Sequence, residues 1–501
     1  MRVYTNNQLK KYISNELKNL ELEGVHRSRF CKVDLDNFLQ NASSKICGVY
    51  GLRRTGKTTL IYQTIQEMDC NNVCFIRCNN GDHYIDIENL LDTLPQKYIF
   101  IDEITKADGF IQLSSSLYEN YPDKKIIIAG TDSASLLFAK EDELYDRIEL
   151  IHTTYISFAE FNYLLGKSLE EYIRYGGTLT DGARIYNNED NLEDYMNTAI
   201  VSNICRSVEA GKDNVQYKKL YNLYLSKELE AAINKTIEIN AKEFLLQVLK
   251  KANISMEDNK IIADWEDYRE ICEFIAKELQ MNSLPNIQAE DIELITNFLI
   301  KLDVLSKKSN GEIFFTQSGM QYCFAKIIMD NIANTVQFQK IFSEKQKVFL
   351  EKIHQDAVEH ILKNIIQADI KKCPVISNME IGKVDNIGNG KFDLYIINLR
   401  TKKAIVYEIK RSSIVTPNQY QYMLNEKLCN TFEEKYQCSI VQKTVLYHGE
   451  SKYLDNGITY YNAREFLLHL QDLILPFLEN KSDLINENEL DTNNDFGVEM
   501  K

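Results

Sequence analysis

The chain has 501 residues, room for roughly three or four domains. With 44% hydrophobic and 26% charged residues it has the composition of ordinary globular protein, and no apolar run reaches the roughly 18 residues of a membrane span. A formal net charge of −15 excludes a surface coated in nucleic-acid-binding charge, while leaving room for a local basic groove. The first residues, Met1 to Asn7, lack the apolar core of a signal peptide. Eleven cysteines, none in a C-x-x-C pair, fit free thiols in a reducing cytoplasm better than disulfides or a zinc site.

Residues 1–44 read as a polar helical segment, with Leu9, Tyr12, Ile13, Leu17 and Leu20 at helical spacing. Arg27, Arg29 and Lys32 follow, either touching a nucleotide or a neighbour, or forming a solvated face. Residues 45–165 alternate short apolar runs with helical patterns, which predicts a parallel α/β sheet with strands at 45–50, 73–77, 98–102 and 125–130.

Between the first strand and its helix stands Gly51-Leu52-Arg53-Arg54-Thr55-Gly56-Lys57-Thr58, followed by Thr59. This is G-x-x-x-x-G-K-[ST], the loop that curls its backbone N–H groups around phosphate. The start of the next helix adds partial positive charge there. Lys57 is placed to reach the β and γ phosphates, and the Thr58 hydroxyl to hold Mg²⁺. Tyr98-Ile99-Phe100-Ile101-Asp102-Glu103 is an apolar strand ending in two acids. Asp102 suits the metal, largely through water, and Glu103 suits orienting or deprotonating the attacking water.

At the end of the fourth strand, Thr131 is placed to feel the γ-phosphate or to cap the following helix, with Ser133 as rival cap. Arg147 is compatible with two roles. One is a finger that supplies transition-state charge, within the chain or from a neighbouring subunit; the other is a surface ion pair with Asp146 or Glu149. Ile148–Ile151 and Ser157–Phe161 read as strand-like.

The run GVYGLRRTGKTTL, the YIFIDEI strand, the IIIAGTDSASLL segment, the DR pair and the SFAEF run together resemble a family of prokaryotic AAA-type ATPases. That resemblance extends through Tyr172–Gly177 into the C-terminal region. It implies ATP as the nucleotide, a helical segment, a winged-helix-like region and a C-terminal PD-(D/E)xK nuclease-like domain. The family commonly has Gly before the arginine where Asp146 stands here.

Residues 166–240 read as a helical lid or linker in which Gly176-Gly177 is a hinge or a packing point. Residues 241–344 form a second helical unit. Its apolar stripe at 292–305, the turn Ser306 to Gly311 and the strand Glu312–Thr316 together suggest a winged helix, whose Lys307 and Lys308 either meet phosphate or pack.

Residues 345–478 open on a long helix near 346–366. Strands Lys391–Ile397 and Lys403–Lys410 flank a polar turn, and a symmetric hairpin about Asn398–Lys403 sets Asp393 opposite Glu408, with Lys410 on the same face. Facing carboxylates repel unless one is protonated or a cation lies between them. A divalent metal held by both, with Lys410 steadying the developing charge, is nuclease logic; a buried ion cluster without chemistry is the alternative. Glu359 fits the position of the resembled family's helical acid. A helix near 417–436 follows, with aromatics that stack on bases or pack in a core, then strands at 440–447 and 458–461 and a helix at 463–477. Residues 479–501, with seven acids and two lysines, read as a disordered acidic tail.

The expected chain is therefore an α/β multidomain protein: a P-loop parallel-sheet ATPase core, a helical and winged-helix-like middle, and a restriction-nuclease-like α/β end. Its expected cofactors and partners are ATP with Mg²⁺, DNA, and a protein partner or a second copy, with no membrane.

Overall fold

The computed structural model describes residues 1–478 apart from 23, 25, 42–45, 131–134, 138, 139, 141–143, 145, 146, 213–216, 260–264, 282–286, 343, 374–378, 388 and 389. Thr131, Ser133, Asp146 and the acidic tail after 478 therefore lie outside the described residues. The chain divides into two compact units. The first comprises Met1–Ile156, Glu160–Ser306 and Ile313–Ala357; the second comprises Ser157–Ala159, Lys307–Glu312 and the chain from Val358 onward.

The first unit is built on a six-stranded sheet in the order β1-β3-β4-β5-β2-β6. Here β1 is Arg2–Thr5, β2 Ile46–Tyr50, β3 Val73–Arg77, β4 Tyr98–Asp102, β5 Lys125–Ala129 and β6 Ile148–His152. All pairings are parallel except that of β1 with β3. Runs such as Ile46-Cys47-Gly48-Val49 are apolar throughout because both faces of the sheet are covered. The two-residue period sorts them. Cys74, Ile76, Ile99, Ile101, Ile126 and Ile128 face one core, which helices α4 (Tyr84–Thr93) and α5 (Phe110–Asn120) complete with Ile87, Leu91, Leu113 and Leu117. Phe75, Phe100, Ile127 and Val49 face the other, with Leu9 and Ile13 of α1 (Asn6–Leu22) and Leu60, Ile61 and Ile65 of α3 (Lys57–Gln66).

Two sequence readings change here and a third, left between two alternatives, is narrowed. β1 is a strand inside the stretch expected to be helical; it is short, and only its pairing with β3 makes it a strand. Ser157–Phe161 is not a strand but the entry to the helix Phe158–Leu165, in which Phe161 and Leu164 are buried at helical spacing. Gly176-Gly177 is a packing point: Gly319 N donates to Gly176 O at 3.0 Å and Gln317 Nε2 to Gly177 O at 2.7 Å.

The helices from Gly182 to Ala333 other than Trp265–Met281 share one core, including Ile200, Ile233, Leu299, Phe315 and Met320. Within them, helix Ala289–Lys301 leads into a two-stranded hairpin, β7 (Leu305–Lys307) and β8 (Ile313–Phe315), and then helix Ser318–Ala333. At the hairpin turn Lys307 is exposed, but Lys308 is buried and its ammonium meets Glu312 at 3.0 Å. The expected lysine pair is therefore split, because burial of Lys308 is tolerated only with a carboxylate beside it.

The second unit holds a mixed sheet in the order β13-β14-β12-β11-β10-β9. Its strands are β9 Met379–Ile387, β10 Gly390–Asn398, β11 Lys403–Ile409, β12 Ser439–Tyr447, β13 Lys452–Tyr453 and β14 Ile458–Asn462. β9 was not anticipated from the sequence. The stretch expected as a helix over 417–436 is a single turn at Pro417–Gln419 followed by helix Glu426–Tyr436, and the last helix is two, Ala463–Leu468 and Leu470–Leu478. No helix among the described residues is long and apolar enough to cross a membrane.

Candidate functional site

The loop between β2 and α3 emerges at the carboxyl end of the central strands. Gly56 sits at φ +88° as the residue before α3, a left-handed conformation that glycine adopts without a Cβ penalty. A Cβ on Gly51 would collide with the Thr153 hydroxyl and crowd the Thr154 backbone nitrogen. The loop is tied down from outside: Leu52 N donates to Thr154 Oγ1 at 3.0 Å, and Thr55 Oγ1 lies 2.8 Å from both Leu52 O and Thr153 Oγ1. Lys57 opens α3, and its buried ammonium donates to Gly51 O at 2.7 Å and Leu52 O at 2.9 Å.

Asp102 ends β4, two strands away from β2 in the sheet. Its Oδ2 accepts from the Thr58 hydroxyl at 3.1 Å, and Oδ1 accepts from Glu103 N at 3.1 Å. Only 2% of Asp102 is exposed. Burial and then the Glu103 carboxylate push its pKa up to about 6, so the ionised form is held at a cost that a nearby cation relieves. Glu103 stands at φ +57° with its carboxylate 3.4 Å from Lys106. A cavity of about 540 Å³ brings Arg53, Arg54, Gly56, Lys57, Thr58 and Thr59 together with Glu103.

The sequence missed the other wall of this cavity. It is formed by Arg184, Asn191, Asp194, Tyr195 and Thr198, more than a hundred residues further on. Tyr195 OH donates to Arg53 O at 3.3 Å, and Arg54 pairs with Asp181. The sequence named Arg29 only as a nucleotide or neighbour contact or a solvated side chain, not as a buried support of the loop. Its guanidinium is buried beneath the loop, bonding Thr55 O, Thr153 O at 3.0 Å, Tyr155 O at 2.9 Å and the Glu160 carboxylate at 2.6 and 3.1 Å. No spacing in the chain signals these contacts. Arg27 and Lys32, by contrast, keep to the surface, on Tyr163 and on Asp36 and Glu67.

Arg147 is not part of this group. It directly precedes β6, which runs parallel to β2 with Ile148 beside Ile46 and His152 beside Tyr50. Arg147 therefore sits at the opposite rim from the loop after Tyr50, about 15 Å along the strand. Its guanidinium bonds Glu119 at 3.2 Å and lies over the Tyr118 ring at 5.0 Å. That position keeps it away from the loop within this chain, and among the described residues its ion pair is with Glu119 rather than Glu149.

In the second unit, β10 pairs with β11 with Leu394 opposite Tyr407 and Ile397 opposite Ala404, the register of the symmetric hairpin. Continued by one residue it sets Asp393 opposite Glu408. The cation between them, however, is the chain's own. Lys363, which the sequence reading passed over, reaches from helix Glu344–Lys372 to Glu359 at 3.0 Å and to both Asp393 oxygens at 3.0 and 3.1 Å. Lys410 reaches Glu408 at 2.9 Å and Asp393 at 3.6 Å. Asp393 also accepts from Ile409 N at 3.0 Å. Burial would raise the Asp393 pKa, but the two ammonium groups hold it well below the usual range. Glu408 is pushed up to about 7 by burial and then by Asp393, and its Oε1 is buried without a hydrogen-bond partner.

Glu359 and Asp393 share Lys363, and Glu408 and Asp393 share Lys410. Among the described residues no group of three or more His, Cys, Asp or Glu side chains is arranged to hold a metal ion. Glu359, Asp393 and Glu408 are thus held in an ion cluster with Lys363 and Lys410, and a dication there would compete with Lys363 for Glu359 and Asp393.

Comparison with known proteins finds a family match in the N-terminal part of the chain. The AAA domain family matches residues 43–162. The solved structures it is similar to include the Saccharomyces cerevisiae Hsp104–ADP complex, at 12% identity and TM-score 0.25 over 71% of this chain and 50% of that one. The alignment thus spans about half the length of Hsp104. The Thermotoga maritima RuvB Holliday junction branch migration motor aligns at 14% identity and TM-score 0.23, over 64% of this chain and 95% of that one. Drosophila ORC bound to DNA aligns at 13% identity and TM-score 0.21, over 63% and 90%. No curated protein matches.

Proposed function

We propose that the first unit binds ATP with Mg²⁺ and hydrolyses it. The observation that carries this is the meeting of Thr58 and Asp102, 3.1 Å apart although one lies in the first turn of helix α3 and the other ends strand β4, at a cavity that also takes in Lys57 and Glu103. The AAA domain match over residues 43–162 supports it. The loop's N–H groups bind the phosphates, and the Lys57 ammonium turns from Gly51 O and Leu52 O to the β and γ oxygens. Asp102 and Thr58 fit a hard cation: one is a buried carboxylate whose charge needs compensation, the other a hydroxyl within hydrogen-bond reach of it. Mg²⁺ held there supplies neutralising charge to the phosphates. Glu103, at the same cavity, orients the attacking water and takes its proton. The test is release of phosphate from ATP by the pure chain, with and without DNA. ATP affinity unchanged by Lys57→Ala would remove the loop from the account.

For the second unit two readings compete: a DNA-directed nuclease-like domain under nucleotide control, and a nuclease-like fold that cuts nothing and serves a nucleotide-dependent interaction. The position of Lys363 among the carboxylates favours the second. Burial of Lys308 leaves only the exposed Lys307 of the hairpin turn to meet phosphate, which supports the same reading. Incubation with plasmid, Mg²⁺ or Mn²⁺, and ATP decides: cleavage that Glu408→Ala abolishes would restore the nuclease reading.

A further inference from the structure

The cavity at the phosphate loop holds charges of both signs that do not meet. The loop contributes Arg53 and the opposite wall Arg184, both exposed, and neither guanidinium has a partner among the described residues. Asp194 lines the same cavity and is exposed; its carboxylate has neither a hydrogen bond nor an ion pair among the described residues. Arg54, on the same loop, is by contrast paired with Asp181. Opposite charges that share a cavity without pairing leave each free to meet a different part of one ligand.

Asn191, Asp194 and Thr198 stand three and four residues apart, on one face of helix Glu189–Met196 and of the π-helical turn Asn197–Val201 that continues it. Tyr195 ties this helix to the loop, its hydroxyl donating to Arg53 O at 3.3 Å. The Thr198 hydroxyl donates to Asp194 O at 2.8 Å, so toward the cavity it presents lone pairs. The Asp194 carboxylate presents nothing else, and the Asn191 amide can accept as well as donate. The wall facing the loop is thus mainly a face of acceptors.

We propose that this face binds the ribose of the nucleotide, with Asp194 accepting from the 2′- and 3′-hydroxyls, so that the site selects a ribonucleoside triphosphate over its 2′-deoxy analogue; this rests on the loop binding the triphosphate. Phosphates are negative and offer no donor, so an acceptor face repels them and meets the nucleoside instead. Two neighbouring hydroxyls suit the two oxygens of one carboxylate. A base wants apolar surface against its faces, and Ile185 is the one aliphatic side chain among the described residues lining the cavity. A hydroxyl on a carboxylate is a charge-assisted bond, about twice as strong as a neutral one. A site built on such a bond rejects the ligand that lacks the hydroxyl, because its carboxylate is then left unpaired.

Equilibrium titrations of the full chain with ATP and with 2′-deoxy-ATP, each with Mg²⁺, test this. Wild type should bind ATP about ten- to a hundredfold more tightly than 2′-deoxy-ATP. Asp194→Ala, at an exposed position without partners, should bring that ratio close to one by weakening ATP, and Asp194→Asn, which keeps an acceptor but loses the charge, should fall between. Equal affinity of wild type for the two nucleotides overturns the proposal. So does an Asp194→Ala protein that keeps the wild-type ratio, whether it weakens both nucleotides, as a structural role would, or tightens both, as removal of a charge that repels phosphate would. Binding of neither nucleotide overturns the ribose contact together with the nucleotide reading of the loop. ATP binding that Lys57→Ala abolishes but that ignores the 2′-hydroxyl overturns the ribose contact alone.

Discussion

The Thr58 hydroxyl donates to the Asp102 carboxylate at 3.1 Å. This single bond joins the first turn of α3 to the tip of β4, and in the proposed reading it marks the place of the cation.

The two acids at that tip separate by role. Glu103→Gln keeps the shape of the cavity and removes the base. ATP affinity should hold within a few-fold while turnover falls about 10²–10⁴-fold. Equilibrium binding and steady-state phosphate release on the same preparation check this; turnover that survives means another group prepares the water.

Asp102 makes a prediction in pH. Its folded pKa, about 6, lies above the ordinary 3.8, so the folded state holds the proton more tightly than the unfolded chain. Stability in the absence of metal therefore falls as pH rises from about 4 to about 6, by something near 3 kcal/mol for this group. Asp102→Asn carries no such charge and should be flatter over that window, more stable than wild type at pH 7, and poor at binding Mg-ATP. Denaturant melts at both ends of the window measure it, and identical pH profiles for the two proteins would contradict it.

Arg29 is the cation that holds the loop from below. Arg29→Ala leaves the buried Glu160 uncompensated and the Thr55 and Thr153 carbonyls without a donor. The expected loss is about 3–5 kcal/mol of stability. Arg29→Lys keeps the charge but not the planar fork, so it should recover part of the stability while ATP affinity stays reduced. Thermal melts beside ATP titrations separate the two effects.

In the second unit Lys363→Met should destabilise by about 3–5 kcal/mol, because Glu359 and Asp393 then face one another without their shared ammonium. Divalent ions added to that variant, followed by calorimetry, give a direct check. A variant as stable as wild type would show that Lys363 is not part of an ion cluster.

What the sequence by itself determined were features whose partners lie close along the chain or repeat with a period. The phosphate loop is eight contiguous residues, the Asp102-Glu103 tip closes an apolar run, and the Asp393–Glu408 register follows from the symmetry of one short turn. Each is dictated by local backbone geometry. Only the tertiary structure decided that Arg29 lies under the loop, that Arg184 and Tyr195 wall the cavity, that Lys363 stands between carboxylates and that Arg147 belongs to the far rim. Those placements depend on strand order and on helices brought together from distant parts of the chain, and a long-range contact between charged groups leaves no spacing or period behind. Charge type names the candidates in the sequence; burial, which the fold alone imposes, decides which of them must find a partner.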